Sequence, residues 1–427
     1  MVIAPYRHDQ HVAKFVWRKR SLFELCHSGM NPRSTGLKFR TEKIARCHSR
    51  MSFSVVIPNF NHGGLLPRAV HALMAQRPMP AEIVIINDGS TDDSRSVIAA
   101  LRARFPCILA IDHAVNRGVV AAMNEGLRAA TGEFVYFAAA DDFSLPGLFA
   151  RAETALLGHH EAAFFCSRVV LADPEGTILG FRPFMQPSIK AAFLTPRRVR
   201  EELAHSDQWC VGPSVIYRRA RLLETGGFDD AMGAFTDGLV VRRLALESGF
   251  FFDPQLLVCW EISPTGLSAR TALSVAENTR LIAKAVDAVR SGFPADIRIA
   301  YAEQLSTRLR FNMARLWLVF GKGGIDVAGL AEVLQFKGYS RKILQLVARS
   351  PYASYALLTW MALVLRPYGM GAIVGGCYRA LRARLFETRA AKRAIAQVRT
   401  LAANYTVDPP PCACEEGNAR GSTRPCR

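Results

Sequence analysis

The sequence has no CxxC pair and no cluster of several cysteines and histidines at metal-ligand spacing, although ten cysteines are scattered along it. That spacing excludes a zinc-finger or disulfide-scaffold reading, and it leaves a reducing, cytoplasmic compartment as the default expectation. The first residues also lack the apolar run of roughly 7–15 residues that a secretory signal carries, so export by that route is not expected. Acidic residues are few beside basic ones, 36 against 54, for a net charge of +18. Taken whole, that excess points to nucleic acid or an anionic membrane surface.

The excess is unevenly spread. Residues 1–50 carry 11 basic and 3 acidic side chains and residues 271–427 carry 23 and 10, whereas residues 51–270 carry 20 and 23. A nucleic-acid enzyme more often concentrates its basicity where the chemistry is done, so nucleic acid is not an expected partner and the basic flanks read as an address. Residues 1–50 show no sustained period and are expected to be a disordered extension. With 427 residues, 50% of them hydrophobic, the chain can fill a large core and has room for two or three units.

From Phe53 onward apolar runs, polar loops and amphipathic stretches alternate, the pattern of an α/β sheet covered by helices. Strands are predicted at Phe53–Pro58, Glu82–Asn87, Ile108–Asp112 and Glu133–Ala138. Helices are predicted at Leu65–Gln76, Asp92–Phe105 and Gly118–Ala130, with Ser90 and Thr91 near the cap of the second. Two acidic clusters, Asn87-Asp88-Gly89 and Ala140-Asp141-Asp142, follow directly on strand ends, where open α/β sheets build ligand sites.

Past about Arg280 the character is helical. Ile297, Tyr301, Leu305, Leu309, Met313, Leu316 and Phe320 recur three or four residues apart and mark one helix with a buried stripe. Residues 352–378 contain one charge, Arg366, beside Pro367. They are long enough for a bilayer span of about 20 residues. Against that, a mid-helix arginine costs about 2.5–3.5 kcal/mol and the proline breaks the helix. A span, a shallow interfacial hairpin and a buried helix pair all remain open. Arg379–Arg399 follows with seven basic residues against Glu387, interleaved with Leu381, Leu385, Ile395 and Val398. Near an anionic leaflet each such cation contributes about 1 kcal/mol, which favours the membrane readings. Residues 407–427 read as an unstructured tail.

One ordered set of motifs remains: Pro58-Asn59-Phe60-Asn61, Asn87-Asp88-Gly89-Ser90-Thr91, Asn116-Arg117-Gly118, Ala140-Asp141-Asp142, Gly226-Gly227-Phe228-Asp229 and Thr236-Asp237. Taken singly, each is a turn or a helix cap. Taken together in this order, over about residues 53–265, the set resembles the inverting glycosyltransferases of family 2. The resemblance implies the GT-A fold, an α/β, Rossmann-like mixed sheet flanked by helices over residues 51–270, with a mostly α-helical region at 271–406. It implies transfer of a sugar from a nucleotide-diphosphate donor, a UDP-sugar, to a hydroxyl of a glycan or lipid-linked saccharide, as in polysaccharide or glycolipid synthesis.

The same resemblance implies roles. Asp88 would accept hydrogen bonds from the nucleotide base, Pro58 and Asn61 would line that pocket, and Asn116 and Arg117 would reach toward the diphosphate. Asp141, supported by Asp142, would hold a divalent cation against the diphosphate; hard oxygen ligands suit magnesium or manganese. Asp237 would remove the acceptor hydroxyl proton, the one task an inverting transfer asks of a base. His205 and Trp209 are candidate acceptor contacts. The sequence departs from the family pattern at Ala139, where the first Asp of Asp-x-Asp would stand, and at Thr236, where Glu is usual. Those departures keep a second reading open, a binding or scaffold protein with impaired catalysis. No Gln-x-x-Arg-Trp motif occurs, which leans against a processive polymer synthase.

Overall fold

The structure, a computed structural model, describes residues 51–262, 275–320, 327–347 and 353–403. The readings of 1–50 as an extension and 407–427 as a tail lie outside the described residues. Strands β1 (Phe53–Asn59), β2 (Glu82–Asp88), β3 (Ile108–His113) and β4 (Phe134–Phe137) run parallel in the order β3-β2-β1-β4. Successive side chains of these strands enter two different cores. Val56, Val84, Ile86 and Val135 pack on one face, and Phe53, Val55, Ile57, Ile83 and Ile85 on the other. Burial on both faces is why the strands read as continuous apolar runs.

Helices α1 (Leu66–Met74) and α2 (Ser94–Arg104) cover the second face through Leu66, Val70, Leu73, Ile98 and Leu101. Helix α3 (Val119–Ala129) covers the first, so close to β1 that a Cβ on Gly126 would lie 2.2 Å from Val56 Cγ1. Beyond β4 the sheet becomes mixed. Its further strands are β5 (Phe143–Ser144), β6 (Phe164–Ala172), β7 (Ile178–Arg182), β8 (Ala192–Leu194), β9 (Ile216–Arg218) and β10 (Phe250–Glu261). The order continues β4-β9-β6-β10-β5, with β9 antiparallel to both neighbours and β6 parallel to β10. Helices α4 (Leu148–Gly158), α5 (Pro196–His205), α6 (Arg219–Glu224) and α7 (Thr236–Ser248) complete this part.

Among the described residues seven helices follow: α8 (Val275–Gly292), α9 (Arg298–Phe320), α10 (Val327–Val333), α11 (Tyr339–Val347), α12 (Ala353–Leu365), α13 (Met370–Phe386) and α14 (Thr388–Ala403). The expected stripe on α9 is present as far as Met313: Tyr301, Leu305 and Met313, with Ile282, Ala285 and Val289 of α8, join the core that contains Trp209 and Phe250, while the side chains of Leu316 and Phe320 lie outside those described. The single-span reading of residues 352–378 is not what forms. The chain breaks at Arg366, which has φ 45°, and Pro367, leaving helices of 13 and 17 residues. Among the described residues no helix is long and apolar enough to cross a membrane.

Helix α14 folds back onto the sheet. Ala391, Ile395 and Val398 pack with Ala72, Phe143, Leu145 and Cys259. Ile395 and Val398, read from sequence with the membrane-seeking run, are therefore core residues. At the end of β10, Glu261 is clamped from two sides, by Arg68 of α1 through Nη1 and Nη2 at 2.8 and 2.9 Å, and by Arg399 of α14 at 2.8 Å.

Candidate active site

The loops at the carboxyl ends of β1, β2 and β3 are braced to one another. Asn61, at φ 56°, turns its Oδ1 to accept the Thr91 amide at 2.7 Å, while its own amide donates to Ser90 Oγ at 3.0 Å. Asn59 Nδ2 donates to Ser94 Oγ at 2.9 Å, and the Gly63 amide to Asp92 Oδ2 at 2.9 Å. Ser90 and Thr91, expected near the cap of α2, brace the β1 loop: Thr91 donates to the Asn61 side-chain oxygen, and Ser90 Oγ accepts the Asn61 amide. Pro58 sits in register with Ile86, just ahead of this brace.

Asp88 is buried, and both of its oxygens are engaged. Oδ1 accepts from the Arg117 amide at 2.9 Å and lies 2.6 Å from His113 Nδ1, and Oδ2 accepts from the Gly118 amide at 2.9 Å. Asp88 therefore holds the 113–118 loop, and one unoccupied lone pair is what remains for a ligand donor. Asn116 Oδ1 accepts the Gly118 amide at 3.0 Å, and Arg117 Nη1 donates to Glu125 Oε2 at 2.9 Å. Gly89, at φ +70°, lets the two loops meet: a Cβ there would lie 2.5 Å from the Asn116 nitrogen.

Asp141 and Asp142 divide their work. Asp142 is buried, its Oδ1 accepts the Glu261 amide at 2.9 Å, and burial, then the neighbouring Asp141 charge, pushes its carboxyl well above the usual range. It ties the β4–β5 connection to β10. Asp141 is half-buried, with its carbonyl accepting from Arg68 Nη2 at 2.7 Å. Among the described residues no group of three or more His, Cys, Asp or Glu gathers that could hold a metal by itself. The donor set therefore fits a divalent ion only in part: one available carboxylate at Asp141, with the remaining ligands left to diphosphate oxygens and water.

Asp237 opens α7 and lines a cavity of about 320 Å³. Its Oδ1 accepts the Gly238 amide at 2.6 Å, and burial raises its carboxyl above the ordinary value, which makes it a better proton acceptor. The facing wall is the Trp209–Pro213 segment, in which Trp209 stacks on Phe250 at 4.7 Å and carries a buried Nε1 with no hydrogen-bond partner among the described residues. The far wall comes from α9, through Leu305, Leu309 and Asn312. His205 is not among the lining residues. Neither are Asp88 and Asp141, but Trp260 lines the cavity and precedes Glu261, so the two groups adjoin at the end of β10.

Sequence reasoning missed the ionic floor of this cavity. Arg242 donates to the Gly238 carbonyl at 2.6 Å and lies 3.4 Å from Asp207 Oδ2, and the Tyr301 hydroxyl donates to the same carboxylate at 3.2 Å. Burial pushes Asp207 up, but Arg242, Arg308 and Tyr301 outweigh it and hold the carboxyl below its ordinary value. No motif signals this set, whose members come from the α5–β9 connection, α7 and α9.

Residues 54–222 match the family model described as Glycosyl transferase family 2, and this stretch is a glycosyl transferase family 2 domain. An uncharacterized glycosyltransferase of Nostoc sp. is 31% identical over 216 residues, 51% of this chain and 58% of the relative. A PGL/p-HBAD biosynthesis glycosyltransferase of Mycobacterium bovis is 30% identical over 109 residues, 26% of this chain and 43% of the relative. The chain thus spans about half of these curated relatives or less. The sheet and helices have the GT-A fold: the crystal structure of S. aureus TarS in complex with UDP-GlcNAc superposes with a TM-score of 0.51 at 18% identity, covering 71% of this chain and 87% of that one.

Proposed function

We propose that the chain is an inverting glycosyltransferase that moves a sugar from a nucleotide-diphosphate donor, a UDP-sugar, to a hydroxyl of a glycan or lipid-linked saccharide. The observation that carries the reading is Asp237, a carboxylate of raised proton affinity on the wall of a cavity. In this reading the acceptor enters between Trp209–Pro213 and α9. Its hydroxyl points at Asp237, which takes the proton as the oxygen attacks the anomeric carbon from the face opposite the departing diphosphate.

The braced β1, β2 and β3 loops hold the nucleotide. Pro58 and Asn61 line the base pocket, Asp88 fixes its floor and offers its remaining lone pair, and Asn116 and Arg117 face the diphosphate. Asp141, backed by Asp142, would hold a magnesium or manganese ion, whose charge offsets the charge developing on the diphosphate. The basic C-terminal helices favour work at the cytoplasmic face of a membrane, where a lipid-linked acceptor resides.

The test is a nucleotide-sugar panel read by thermal shift with manganese, UDP-GlcNAc included, followed by transfer assays on Asp237→Asn. Donor binding should persist and transfer should be lost; wild-type turnover by the variant would overturn the assignment. A second reading, binding without catalysis, is favoured by Ala139 in place of a metal-ligating carboxylate. Donor turnover with and without manganese separates the two, because a binding protein turns over donor in neither condition.

A further inference from the structure

Helix α13 presents an apolar stripe that no described residue covers. At 100° per residue, Met370, Val374, Tyr378, Leu381 and Leu385 fall within an arc of about 80°. These five and the adjoining Phe386 are 60–74% exposed. The opposite side of the helix holds Gly376 and Ala383, both buried, and a Cβ on Gly376 would lie 2.5 Å from the Phe184 ring. The helix is therefore seated by its small side and turns its large side outward.

The charges around the stripe are of one sign. Arg382 and Arg384 lie at its two margins and are exposed, and no Asp or Glu occurs from 351 through 386. After Glu387, α14 turns Arg389, Lys392 and Arg393 outward, on the side away from its buried Ala391, Ile395 and Val398. A row of large apolar side chains between cations matches the acyl boundary and the phosphates of an anionic bilayer, whereas a second copy of this chain would bring like charges against like.

We propose that α13 docks flat on an anionic lipid surface, with its stripe at the acyl boundary and Arg382, Arg384, Arg389, Lys392 and Arg393 against the headgroups. The proposal deepens the membrane reading of the preceding subsection by naming the face, and its test does not involve sugar transfer.

Full-length protein is floated with phosphatidylcholine vesicles, with and without phosphatidylglycerol. Binding should require phosphatidylglycerol and weaken as salt rises. The surface variant L381S/L385S/F386S should keep the wild-type melting temperature and donor binding while vesicle partitioning falls by about tenfold or more. R382Q/R389Q/K392Q/R393Q should lose the preference for phosphatidylglycerol. Equal flotation of the serine variant and the wild type would overturn the proposal, as would equal binding to both vesicle types. A serine variant that turns a dimer into a monomer and floats unchanged would assign the face to self-association instead.

Discussion

A Cβ placed on Gly212 would lie 2.3 Å from Asp237 Oδ2. Only glycine lets the Trp209–Pro213 wall approach the carboxylate this closely, and the clashing atom is the free end of a side chain, not backbone. Gly212→Ala should therefore fold normally and rotate the Asp237 carboxylate out of place. Transfer should fall about a hundredfold, the typical cost of a displacement near 1 Å, with the melting temperature and donor affinity little changed. Full activity in this variant would mean that the position of the carboxylate is not critical.

The raised proton affinity of Asp237 sets the sign of a pH effect on activity. A base must be unprotonated, so turnover should climb with pH through a midpoint above the ordinary aspartate value of about 3.9, because burial favours the neutral acid. A rate profile for donor and acceptor turnover measures the midpoint. An acid limb at or below the ordinary value would contradict the cavity's effect.

Asp207 carries the opposite sign. Its folded-state value is depressed, so its contribution to stability is present above the ordinary carboxylate value and is lost as pH falls through the lower, folded-state one. Asp207→Asn leaves Arg308 without its carboxylate partner and Arg242 with the Asp237 charge alone, and breaking a buried pair in this way costs about 3–5 kcal/mol. Denaturation at neutral pH should show that loss, and the gap from wild type should close as pH drops below about 3.9.

Gly89→Ala tests whether the braced loops form the nucleotide pocket. The clash is with backbone, the Asn116 nitrogen and the Val115 carbonyl carbon, both at 2.5 Å, and φ is +70°. The loop after β3 must shift, at a cost of about 1–3 kcal/mol. Nucleotide affinity, read by calorimetry with UDP, should fall about tenfold or more. Unchanged affinity would place the nucleotide elsewhere.

The parallel half of the sheet was legible because β1, β2 and β4 are short apolar runs between turn residues, and Asp88, Asp141 and Asp237 stand in motifs beside strand or helix ends. Strands β6 and β10 were not read: Ser167 and Arg168 interrupt the apolar residues of Phe164–Ala172, and no helix separates β6 from β7, so the alternation that marked the first half is absent there. The cavity floor was hidden for another reason. Asp207 meets Arg242 and Tyr301, 35 and 94 residues away, and nothing local marks such a set. The run 379–399 was read as one amphipathic unit, but the break at Glu387 sends Leu381 and Leu385 outward and Ile395 and Val398 inward.

The double clamp on Glu261 bears on how this protein can be cut. Arg399, which supplies one of the clamping guanidiniums, and Ile395 and Val398, which cover Phe143 and Leu145, all lie at the far end of the described chain. A chain trimmed after the sheet would lose both at once, baring apolar surface beside the Asp141–Asp142 turn and slackening the strand end that Asp142 holds. The natural excision point for a minimal folded chain therefore lies beyond α14, and shorter fragments should be judged by aggregation before their inactivity is given any catalytic meaning.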